Sequence, residues 1–134
     1  MVAESVSERL SVCERISGAL ASGAVDRSEL LTMVKDLNSL LHEMTWEVRG
    51  HLNGRYATPE MEEAERWLTS AKNSLSWAEA HAPFALTFEL ARCVQLANSA
   101  TVKVAKRLQR MRNLLRWSRR SARCGHQGLR RAAA

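Results

Sequence analysis

Six apolar residues, Leu30, Val34, Leu37, Leu41, Met44 and Val48, recur at alternating steps of four and three. That spacing puts them on one face of a helix. It denies the segment to a half-buried strand, whose inward residues alternate at every second position. The same rhythm runs through three further stretches. Val2, Val6, Leu10, Cys13, Ile16 and Leu20 mark a first helix, and Met61, Ala64, Leu68, Ala71, Leu75 and Ala78 a third. Leu86, Leu90, Cys93, Ala97, Ala100, Val104, Leu108, Met111 and Leu115 mark a fourth. Each stripe needs cover, and neighbouring stripes supply it most economically. The expected fold class is all-α, an antiparallel bundle of about four helices.

Capping chemistry agrees with these segments. Gly18 and Gly23 weaken and stop the first helix. In "VDRSEL", Asp26 is a cap, Glu29 completes a capping box and Val25 staples onto Leu30. Gly50 and the Asn53-Gly54 pair in "GHLNGRYAT" are turn formers that should end the second helix. "TPEMEE" opens the third, with Thr58 as cap, Pro59 in the first helical position and Glu60, Glu62 and Glu63 against the positive helix end. Pro83 in "HAPF" forces the next break.

The last helix is the odd one. From Phe84 to about Arg120 it would span roughly 50 Å, against about 30 Å for the others. It must either break near Asn98-Ser99 or project beyond the bundle. The apolar face continues through that point, which favours projection. The expected organisation is one helical domain over 1–120 and a flexible basic tail over 121–134, where "CGHQGLRRAAA" has two glycines and no periodicity. Nothing divides the chain into further domains.

Charge is distributed as unevenly as length. Residues 1–89 hold 14 acids against 8 Lys/Arg, whereas residues 90–134 hold 12 Lys/Arg and no acid. "KVAKRLQRMRNLLRWSRRSAR", Lys103 to Arg123, carries nine cations, seven of them Arg. The acidic body cannot neutralise this segment, so a cationic surface survives and a polyanionic partner is expected. At 100° per residue, Arg92, Lys103, Lys106 and Arg110 form one stripe away from the seam. Arg112, Arg116, Arg119 and Arg123 fall on the other flank. Cations on a rigid helix suit the phosphates of a nucleic acid, and the excess of Arg leans toward phosphate forks and RNA. The expected nucleic-acid-binding residues are Arg92, Lys103, Lys106, Arg107, Arg110, Arg112, Arg116, Arg119, Arg120 and Arg123, with Trp117 stacking on a base. The principal backbone contacts are expected from Arg107, Arg110, Arg116, Arg119 and Arg120.

Other chemistries find little footing. His42, His51, His81 and His126 are scattered, and Cys124 and His126 supply only two ligands, so no metal or cofactor is expected. There is no Gly-rich phosphate loop, no GxSxG elbow and no HExxH, and no enzyme is expected. Arg120 and His126 have a spacing known from helical ribonucleases, but Gly125 intervenes in a tail that would not fix their geometry. The three cysteines, Cys13, Cys93 and Cys124, form no CxxC and no even set, which points to a reducing compartment. The N-terminal "MVAESVSERL" is charged from Glu4 onward, and no apolar run approaches the ~20 residues of a membrane span. A soluble intracellular protein is the expectation.

Trp46 and Trp77 lie off their helical seams and are candidates for a protein interface, with a homo-oligomer as the simplest partner. Three readings follow. The first is a non-enzymatic nucleic-acid-binding protein, RNA favoured, of a kind that viruses and phages encode. The second is a protein-interaction inhibitor or adaptor of the anti-CRISPR type, occupying a partner through Trp46, Trp77 and the acidic body, or an acidic protein surface through the basic helix. The third is a self-assembling helical protein built on the heptad seam.

Overall fold

The structure, a computed structural model, describes residues 6–54 and 58–133, with side chains over 8–54 and 58–119. It contains four helices: α1 (Val6–Ser22), α2 (Arg27–Leu52), α3 (Pro59–His81) and α4 (Thr87–Ala133). They form an all-α bundle in which α4 packs against all three others and α2 also packs against α3. Side-chain bridges fix the directions. Arg9 near the start of α1 meets Glu47 near the end of α2, Asn38 of α2 meets Glu79 of α3, and Arg107 of α4 meets Glu63 of α3. Each pair of successive helices therefore runs antiparallel.

The local signals act where expected. The Asp26 carboxylate accepts the Glu29 N–H at 2.8 Å, and the Thr58 hydroxyl accepts the Met61 N–H at 3.2 Å with Pro59 opening the helix. Gly23 takes the positive φ, 71°, that turns the chain out of α1, a conformation a side chain would resist. Asp26→Ala should lower stability by about 1 kcal/mol, seen as a melting temperature a few degrees down.

The core draws on all four helices. All six predicted seam positions of α3 are buried, Met61, Ala64, Leu68, Ala71, Leu75 and Ala78. In α2 the predicted six are buried and Leu40 joins them. The heptad seam is thus covered by the same chain. Leu90, Val94, Ala97, Val104, Leu108 and Met111 carry the core along α4. Asn98 is buried as well, and its amide donates to the Cys13 carbonyl at 3.1 Å and the Ser17 hydroxyl at 2.9 Å. These two bonds set the register of α1 on α4, and the helix passes Asn98-Ser99 without a break.

Three expectations on boundaries and faces are corrected. Gly50 lies inside α2, whose turn begins only at Asn53. Leu86 belongs to no seam. It precedes α4, exposed, with its carbonyl accepting the N–H groups of Glu89 and Leu90 and its own N–H bonded to the Glu89 carboxylate. A residue in that cap position projects its side chain away from the helix face. Finally, the helical path continues to Ala133, past the expected end near Arg120. Single glycines such as Gly125 and Gly128 each cost a helix about 1 kcal/mol, which flanking Arg, Leu and Ala offset. Val2 lies outside the described residues, and of the side chains of Arg120, Arg123, Cys124 and His126 nothing is described.

At 1.5 Å per residue α4 is about 70 Å long and α3 about 35 Å. Among the described side chains of α4, Met111 is the last buried one, Leu115 is half-buried, and Arg116, Trp117 and Arg119 are exposed. The basic half of the helix therefore leaves the bundle around Leu115. No helix among the described residues is long and apolar enough to cross a membrane.

Candidate nucleic-acid interface

The cations of α4 divide into two sets by what surrounds them. Arg107 is half-buried and forks onto Glu63 of α3, at 3.0 Å to one carboxylate oxygen and 2.9 Å to the other, with a longer bond to the Glu60 carbonyl. The fork holds the Glu63 carboxyl below its ordinary range. Arg112 donates from Nε to Glu47 of α2 at 2.7 Å. Both were expected to meet phosphate, Arg107 as a principal contact. Internal pairing with α3 and α2 withdraws them, because a ligand would have to displace a carboxylate already in place.

The other set is free. Arg92, Lys106, Arg110, Arg116 and Arg119 are exposed, and among the described residues no carboxylate pairs with them. Lys103 is exposed and sets its ammonium 3.9 Å from the centre of the Trp67 ring, a cation–π contact that bridges α4 to α3. Trp67 itself is half-buried against the core, as its place at the edge of the α3 seam predicts. Arg92, Lys103 and Lys106 also line a groove of about 900 Å³ between α4 and the second half of α1. Ser17, Leu20, Ala21 and Phe88 form its walls, and among the described residues no carboxylate lines it. Trp117 stands 69% exposed beyond the bundle, between Arg116 and Arg119.

Phe88 is an exposed ring on this face that sequence reasoning missed. It is 68% exposed and four residues before Arg92, so it shares the outer face with the cation stripe. The spacing alone could have found it, since it stands off the apolar seam.

Of the two interface candidates, Trp46 is 65% exposed on α2, edge-on to His42, while Trp77 is less exposed and stacks on His81 at 4.2 Å between ring centres. The structure does not bring them together with the α4 cations. Elsewhere, Phe84 and Leu86 are exposed apolar residues of the turn between α3 and α4.

A second arginine cluster ties α1, α2 and α4 together. Arg9, 4% exposed, donates to Glu47 at 2.8 Å and lies 3.8 Å from Glu43. Glu47 thus receives Arg9 from α1 and Arg112 from α4. Burial alone would push its carboxyl up, but the hydrogen bonds and charges of Arg112 and Arg9 outweigh burial and leave it lowered. The Cys13 thiol is pushed up to about 11 by burial and by Glu14, which leaves it protonated and unreactive near neutrality. Burial raises Cys93 in the same direction. Among the described residues no three His, Cys, Asp or Glu side chains gather to hold a metal ion.

No family model, curated protein or solved structure matches this chain.

Proposed function

We propose that this protein is a non-enzymatic nucleic-acid-binding protein that meets the phosphate backbone with the outward faces of α4. The observation that carries the reading is the free set: five exposed cations without ion-pair partners among the described residues, spread over about 40 Å of one helix. Exposed like charges on a rigid rod repel one another, and the cost is recovered when a polyanion releases its counterions to them. Arg92, Lys106 and Arg110 supply one face, with Lys103 held beside them over Trp67. Arg116 and Arg119 supply the projecting end. Arg over Lys at that end favours the forked contacts that RNA and DNA phosphates accept.

The test is a fluorescence-anisotropy titration with labelled RNA and DNA, duplex and single-stranded, at about 50 mM and about 200 mM salt. Binding at the lower salt that weakens steeply at the higher is expected. No binding to any of them at the lower salt overturns the reading.

A second reading, a partner protein, has its own observation. Trp46 and Phe84 are 65% and 86% exposed, and burying such rings is what interface anchors do. A partner held at Trp46 would dissociate little with added salt and would be lost on Trp46→Ala.

A further inference from the structure

The cation stripe of α4 is bounded at both ends by an exposed aromatic ring. Phe88 stands at the start and Trp117 near the far end, 68% and 69% exposed. At 100° per residue, Phe88, Arg92, Lys103, Lys106, Arg110 and Trp117 fall within a window of about 60° around the helix axis. The window is centred opposite Leu90 and Leu108, which are fully buried. Burial gives no reason for either ring, because neither belongs to the buried core.

The groove beside the stripe has the matching composition. Leu20, Ala91 and Val102 make it apolar, Ser17, Gln95 and Ser99 offer hydrogen-bonding groups, and among the described residues Arg92, Lys103 and Lys106 are its charged lining. Cations and apolar surface thus lie side by side along the first half of the stripe. A nucleotide presents the same pair of chemistries, an anionic phosphate and a flat apolar base. Only an unpaired base can offer its face, since a duplex keeps both faces of every base inside its stack.

We propose that the outer face of α4 is a track for single-stranded nucleic acid. Phosphates lie on Arg92, Lys103, Lys106 and Arg110, with unpaired bases stacked on Phe88 at one end and on Trp117 at the other. This rests on the nucleic-acid reading above and narrows its ligand. The two rings are 29 residues apart, about 44 Å along the helix. At the stacked rise of 3.4 Å per nucleotide that distance corresponds to about 13 nucleotides, and a more extended strand needs fewer.

The experiment measures anisotropy at about 50 mM salt with labelled oligo-dT and oligo-U. The length series runs from about 5 to about 20 nucleotides, beside a dA·dT duplex of the longest length. The proteins are the wild type, Phe88→Leu, Trp117→Leu, and the aromatic-preserving pair Phe88→Tyr and Trp117→Phe. Single-strand affinity should rise with length and level off by about 13 nucleotides. Each leucine variant should lose roughly fivefold to a hundredfold on single strands and less than about twofold on the duplex. The aromatic-preserving variants should stay within about threefold of wild type. Both positions are exposed, so all variants should melt with the wild type by circular dichroism.

If the duplex binds and the leucine variants leave single strands unaffected, or weaken duplex and single strand alike, the single-strand track is overturned and the broader reading stands. Absence of binding to every probe overturns both. The oligo-dT and oligo-U arms report which sugar the track prefers.

Discussion

Glu47→Ala should destabilise the protein by about 3–5 kcal/mol, read as a lower midpoint in urea with an unchanged slope. Glu47 accepts Arg9 at 2.8 Å and Arg112 at 2.7 Å, and the two arginines come from different helices. Their fates on its removal differ. Arg112 is partly exposed and can turn to water, whereas Arg9 is 4% exposed and would be left with Glu43 at 3.8 Å. The loss is therefore dominated by the stranded charge of Arg9 rather than by the hydrogen bonds themselves. Glu47→Leu combined with Arg9→Met should recover most of that loss, because an apolar pair needs no desolvation.

The same site sets a pH dependence. The folded-state pKa of Glu47 lies below its ordinary 4.5, so its contribution is fully present above about pH 4.5. It is lost as the pH falls through the folded-state value and protons bind. Urea midpoints measured from pH 7 downward should fall in that acid window for the wild type and fall less for Glu47→Gln.

The contrast between Arg9 and the seams shows what was legible. The six α3 positions and the six of α2 were readable because a helix converts spacing into a face, and each face was apolar enough to require burial. Asp26 and Thr58 were readable because caps act within one turn. Arg9 was not read, although it stands four residues before Cys13 and so sits in the register of the α1 seam. A charge in that register is tolerable only beside a carboxylate, and Glu47 lies 38 residues away on another helix. The same limit applied to the interface. The basic stripe and its projection followed from local counting. Which cations would be neutralised did not, since Glu63 and Glu47 reach Arg107 and Arg112 only through the packing of α3 and α2 on α4. Leu86 failed for a related reason, because a cap residue keeps its spacing and loses its face.

That division of the arginines yields the largest expected effect on binding. Changing Arg92, Lys106, Arg110, Arg116 and Arg119 together to glutamine should flatten the salt dependence of nucleic-acid binding. If each free cation neutralises one phosphate, the log–log slope of the wild type is about −3.5 to −4.5 from these five alone. Wild-type affinity should then fall roughly 10²- to 10³-fold between about 50 mM and 200 mM salt, while the variant, already far weaker, changes little. All five are exposed and unpaired among the described residues, so each substitution should move stability by no more than about 0.5 kcal/mol. Arg107→Gln is the matched control on the same helix. It opens the fork to Glu63, costs some stability and should leave the slope within about 0.5 of wild type. A control that flattened the slope as much per residue as the five-fold variant would mean that net charge, not the free outward set, governs binding. A variant that kept the wild-type slope would show that the basic face of α4 is not where the polyanion sits.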